Sequence, residues 1–166
     1  MKNTHIRRIL VTSIFIVSSF AAVLYTSGCK KKCGSVTCQN SGTCVNDTCS
    51  CPSGYTGTAC ETMWSTQYLG SYTCTQSCTP PLTGSGSWQS TITTASSNGA
   101  YTISISNFGN LQASATAYLD GNGGVTVAGV NVAGNGTFAD GVLTIHYTTS
   151  TNNVPGSTCN LTMTKQ

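Results

Sequence analysis

The sequence predicts a mainly β protein: a small disulfide-rich module followed by an antiparallel meander β-barrel of about eight strands. Three observations predict it. Six cysteines fall within residues 33–60, too short a segment to bury a stabilising core without covalent staples. Residues 62–166 then hold 33 Ser/Thr but only three charged side chains, Asp120, Asp140 and Lys165, a composition that favours strands over helices. Across that region apolar and polar residues alternate with period two, between turn signals about ten residues apart.

The chain begins with a leader. Met1–Arg8 is basic, Ile9–Leu24 is apolar and uncharged, and Tyr25–Cys29 runs into small residues. That order reads as a secretory signal peptide over 1–28. The 16-residue apolar stretch is shorter than the ~20 residues that span a bilayer comfortably. Thr26-Ser27-Gly28-Cys29 resembles the lipobox of bacterial lipoproteins, although Thr26 stands where that family favours a bulky aliphatic residue. The resemblance implies a Cys29 carrying lipid at the mature N-terminus and a membrane partner reached through that anchor. Ordinary signal-peptidase processing is the alternative. Lys30, Lys31 and Lys32 follow as a basic tether over 29–32.

The charge supports this division. The whole chain is +3 with a pI near 8.3, yet residues 33–166 contain one basic side chain, Lys165, against Asp47, Glu61, Asp120 and Asp140. The basic character belongs to the leader and tether. Without a Lys/Arg cluster in the mature body, nucleic-acid binding is excluded.

Residues 33–61 form the module, with spacing Cys33-x4-Cys38-x5-Cys44-x4-Cys49-x-Cys51-x8-Cys60. Spacing alone allows 15 pairings. The Cys49-x-Cys51 pair is too close for a zinc ribbon, so no metal is expected. Asn40-Ser41-Gly42-Thr43-Cys44, Cys49-x-Cys51 and Gly54-Tyr55-x-Gly57 before Cys60 resemble an EGF-like domain. The resemblance implies Cys33–Cys44, Cys38–Cys49 and Cys51–Cys60, with Tyr55 packing on a neighbouring stretch. Lys30–Lys32 stand where calcium-binding members carry oxygen ligands, so a calcium-free module is expected.

Residues 62–166 are expected to form the barrel, with strands near 67–78, 87–95, 100–107, 111–119, 123–128, 131–138, 141–149 and 157–164. Alternation is plain in Tyr101–Ile105, Leu111–Leu119 and Leu143–Tyr147. The strand near 131–138 carries Gly134 and Gly136 and is the weakest of the eight. Three cysteines remain, Cys74, Cys78 and Cys159. On an extended strand Cys74 and Cys78 lie about 13 Å apart and cannot bond to each other. In a closed meander the first and last strands are neighbours, which sets Cys78 opposite Cys159 and Cys74 opposite Met163. A Cys78–Cys159 bridge and a buried Cys74 thiol are therefore expected. An Ig-like β-sandwich is the alternative, because Cys74, Trp88 and Cys159 follow its cysteine–tryptophan–cysteine order.

Tyr68-Leu69-Gly70-Ser71-Tyr72 resembles the Gly-x-aromatic opening of lipocalin-like barrels. Together with the leader, Ser106–Gly109 and the ending Cys159-x4-Thr164-Lys165-Gln166, it resembles small all-β lipoproteins of Bacteroidota-type bacteria. That likeness implies a lipid-anchored protein of the bacterial cell envelope, at the outer membrane or cell surface.

Catalytic groups are scarce. His146, the one histidine after the leader, alternates outward between Ile145 and Tyr147. Asp120 and Asp140 sit in Asp-Gly turns, where Asp has a local backbone role. Neither a phosphate-cradling loop nor a cofactor motif is present. A non-enzymatic protein without cofactors is expected, binding a protein or glycan. Trp64 and Trp88 are possible contact residues, and internal packing is their other reading. The alternatives are a lipocalin-like carrier of a small apolar ligand and a structural spacer.

Overall fold

The computed structural model describes residues 33–80, 86–96, 98–151 and 154–166, without the side chains of 151, 154 and 155. The expected signal peptide, the Cys29 lipid and the basic tether lie outside them.

The N-terminal region is held by disulfides rather than by buried hydrocarbon. β1 (Thr43–Val45) and β2 (Thr48–Ser50) make a hairpin turned by Asn46 and Asp47, both at positive φ. β3 (Tyr55–Thr56) and β4 (Thr62–Met63) make a second small sheet, so the chain leaves the module at Met63. The bridges are Cys33–Cys44, Cys38–Cys49 and Cys51–Cys60, the pairing that the resemblance implies.

A 3-10 turn over Trp64–Tyr68 joins module and barrel. The barrel strands are β5 (Gly70–Cys78), β6 (Gly86–Thr94), β7 (Thr102–Ile105), β8 (Ala115–Leu119), β9 (Gly124–Gly129), β10 (Val132–Ala139), β11 (Val142–Thr151) and β12 (Val154–Lys165). Each pairs antiparallel with its sequence neighbours, and β12 returns to β5 to close the ring. One closed sheet replaces the sandwich alternative, and closure leaves no free strand edge.

The alternating residues fill the interior. Leu143, Ile145 and Tyr147 of β11 and Cys159, Leu161 and Met163 of β12 join Tyr72, Cys74, Ile92, Ile103 and Ile105 in one buried cluster. Burying each large side chain contributes roughly 1.5–3 kcal/mol. Small residues make the space: Ala115 and Ala117 on β8 are inward, and Gly134 and Gly136 face Tyr147 and Ile145 across β10–β11. A Cβ on Gly134 would lie 2.5 Å from the Tyr147 Cβ.

The observed strands fall short of expectation by two residues or more at three places, whereas the last hairpin runs longer, with β11 reaching Thr151 and β12 starting at Val154, beyond the expected 141–149 and 157–164. The strand expected from 67 begins at Gly70, because Trp64–Tyr68 winds into the 3-10 turn and the Tyr72 hydroxyl bonds the Tyr68 carbonyl at 2.6 Å. The strand expected from 111 begins at Ala115. Asn107, Gly109, Asn110 and Gln112 all take positive φ, which breaks the ladder. Phe108 then enters the core and Leu111 is left exposed. The same break, with the 98–101 turn on the other side, trims the strand expected over 100–107 to Thr102–Ile105.

Residues 33–166 form one compact unit. The Trp64 and Ser65 amides donate to the Gly54 and Ala100 carbonyls at 2.9 and 3.1 Å. The Ser65 hydroxyl bonds the Gly99 carbonyl at 2.6 Å, and Gly54 lies against Ala100 and Tyr101. Module and barrel therefore meet through hydrogen-bonded backbone.

Candidate functional site

The inward thiol, Cys74, is 1% exposed and in no disulfide. Burial pushes it up to about 11, with a smaller opposing effect from a Ser90 hydrogen bond. A thiol so placed stays protonated at neutral pH and is a poor nucleophile. Cys78 and Cys159 are bonded to each other.

In the module, the sulfurs of Cys33, Cys38 and Cys49 lie within 4.8 Å of one another. Each is half of a disulfide, so their proximity reflects two stacked bridges. Tyr55 is half-buried against this cluster.

The two tryptophans face the protein. The Trp64 indole N–H donates to the Tyr55 carbonyl at 3.1 Å. The Trp88 indole N–H donates to the Asn107 carbonyl at 2.9 Å, and Trp88 stands opposite Cys74. Both rings are half-buried and pack on the core. Asp120 Oδ1 accepts the Asn122 and Gly124 amides at 2.8 and 2.7 Å, an Asx-turn arrangement. Asp140 and Gly141, both at positive φ, make the two-residue turn from β10 to β11. His146 is exposed and its Nδ1 pairs with Asn160 Oδ1.

What the register does assemble is a transverse row on the outer wall. Tyr118 stands opposite Thr126, Thr126 opposite Asn135, Asn135 opposite His146, and His146 opposite Asn160. At about 4.8 Å per strand, the span from Tyr118 to His146 is roughly 14 Å. Between Tyr118, Asp120, Thr126 and Asn135 lies an open groove of about 310 Å³. The Thr126 hydroxyl bonds Asn135 Oδ1 at 3.4 Å. Tyr118 is 49% exposed. A second depression of about 350 Å³ runs along Asn131, Ala133, Thr148 and Ser150, and its lining has no aromatic or charged side chain.

Sequence reading did not single out Tyr118, Thr126 or Asn135 as contact residues. One signal was present for Tyr118: it is an aromatic in the polar phase of Leu111–Leu119. Its neighbours come from two other strands, so only the cross-strand register unites them.

No protein-family model matches the chain, and no curated protein or solved structure shows significant similarity to it. Fold and site together define the class: a disulfide-rich module fixed to a closed eight-strand antiparallel meander barrel, with its polar groove on the outer wall.

Proposed function

We propose that this is a non-catalytic, lipid-anchored protein of a bacterial cell envelope, at the outer membrane or cell surface, that binds a protein or glycan partner. In this reading residues 1–28 are removed, Cys29 carries the lipid, 33–61 is an EGF-like module and the barrel is a lipocalin-like scaffold. The observation that carries it is the set of large side chains turned into the barrel. Tyr68, Tyr72, Phe108, Tyr147 and Met163 occupy the barrel as one cluster, in the position where a carrier of this size would hold its ligand. Recognition then falls to the outer wall and the module. The placement of the reactive groups agrees: Cys74 is inside, Asp120 binds its own turn, and His146 pairs with an amide outside.

Intact-mass measurement on detergent-extracted protein, combined with cross-linking on intact cells, tests this. The expected result is a mature chain starting at Cys29 with added acyl mass, accessible to a membrane-impermeant cross-linker or retained in the envelope fraction. A cytoplasmic protein with freely alkylated thiols would overturn it.

A further inference from the structure

We infer that the outer groove across β8, β9 and β10 binds a neutral carbohydrate chain, with Tyr118 as its stacking platform. This rests on the proposed binding role and names its ligand class and site.

The aromatic comes first. Among the described residues, Tyr118 is the one aromatic in the group of exposed large apolar side chains, whereas Tyr68, Tyr72, Phe108 and Tyr147 are all in the core. Its ring stands beside the outward side chains of the next two strands, and its hydroxyl has no hydrogen-bond partner among the described residues. A ring with an apolar face and a polar tip suits a ligand with both C–H and O–H surfaces, which is the make-up of a pyranose.

The polar groups match the same ligand. Asn135 Oδ1 takes the Thr126 hydroxyl at 3.4 Å, and Asn135 Nδ2 has no partner among the described residues. The site thus offers Asn135 Nδ2 as an amide donor, and the lone pairs of the Thr126 hydroxyl and of Asp120 Oδ2 as acceptors. Sugar hydroxyls donate and accept, and need that mixture.

Charge selects the neutral class. Lys165 is the one Lys or Arg among the described residues, and its ammonium bonds the Gln67 carbonyl. The groove is lined by Asp120 and by no cation, so phosphate, sulfate or uronate groups meet repulsion without a compensating clamp. Its volume of about 310 Å³ is at the lower limit of small-molecule sites. The row continues to His146 on β11, giving an extended ligand further contact.

The test uses the full chain in a zwitterionic detergent without sugar, titrated with maltohexaose, cellohexaose, mannohexaose, xylohexaose and chitohexaose. At least one is expected to bind, with NMR shifts centred on the Tyr118, Thr126 and Asn135 amides. Tyr118→Ala should weaken that binding about ten-fold or more, and Tyr118→Phe should retain most of it. Thr75→Ala, on β5 at the opposite wall, should change nothing. Failure of all five sugars at about 10 mM, equal binding by Tyr118→Ala, or tighter binding of oligogalacturonate would each overturn the inference. A cross-linked protein partner that Tyr118→Ala still captures, with no sugar bound, removes this site and leaves the envelope role standing. A chain without lipid removes the envelope role and leaves the titration to decide the groove.

Discussion

Cys78 on the first barrel strand stands directly opposite Cys159 on the last, and the two are joined across the line where the barrel closes. Their sequence separation is 81 residues. In the chain-entropy account, a loop of that length stabilises the fold by about 4–5 kcal/mol through its effect on the unfolded chain. The double variant Cys78→Ala/Cys159→Ala should lower the unfolding free energy from urea titration by about that amount, with a correspondingly lower midpoint, while the module's bridges stay intact. Equal midpoints for variant and parent would show that the strands hold the closure without the bond.

Alkali should unfold the barrel more readily than its disulfides suggest. Burial pushes Cys74 from 9.0 to about 11 and, with repulsion from Tyr68 second, Tyr72 from 10.0 to about 12. Burial also raises Tyr68 and Tyr147. Each group is neutral when protonated, so the folded state holds protons that the unfolded chain releases from about pH 9–10 upward. The stability is therefore complete below about pH 9 and falls as pH rises through 9–12. Urea midpoints at about pH 8, 10 and 11, followed alongside tyrosinate absorbance, should show a progressive drop with ionisation arriving on unfolding. A midpoint constant to pH 11 would contradict the burial of these groups.

Glycine on β10 should be irreplaceable on one face only. A Cβ on Gly134 would meet the His146 carbonyl oxygen and the Tyr147 Cβ, each at 2.5 Å. Gly134→Val should cost about 1–3 kcal/mol or more by overpacking. Ala133→Val, on the exposed face one residue away, should stay within about 0.5 kcal/mol. Denaturant midpoints of the two variants give the comparison, and equal costs would mean that β10 does not present Gly134 inward.

The barrel was legible because alternation, turn residues and the closing rule are all local or topological. Together they place Cys78 opposite Cys159 and Cys74 opposite Met163, and the register agrees at both pairs. What alternation could not show was where the backbone abandons it. Leu111 and Ala113 continue the apolar phase in sequence, yet the left-handed residues at 107–112 put Phe108 in the core instead. Tyr68 reads as a strand residue and is buried through a 3-10 turn. The candidate site was hidden for another reason. Tyr118, Thr126 and Asn135 are ordinary surface residues one at a time, and the two tryptophans, which looked better suited to contact, direct their indole N–H groups to internal carbonyls.

Trp64 should decide whether the module and the barrel behave as one body. Its amide and indole N–H both reach the module, at the Gly54 and Tyr55 carbonyls, while its ring lies where a Cβ on Gly121 would come within 3.0 Å. One side chain therefore touches the module on one side and the β8–β9 turn on the other. Trp64→Phe keeps most of the ring and loses one hydrogen bond, a cost of about 0.5–1.5 kcal/mol. Trp64→Ala also loses the packing, about 2–3 kcal/mol for a half-buried aromatic, below the range for full core truncation. Hydrogen exchange gives the sharper readout, because the Ser65 amide bonds the Ala100 carbonyl across the same junction. In Trp64→Ala that amide should lose protection while the amides of β11 and β12 keep theirs, and limited proteolysis should cut between Met63 and Gly70. If Ser65 stays as protected as in the parent chain, the backbone hydrogen bonds hold the junction and the indole is secondary.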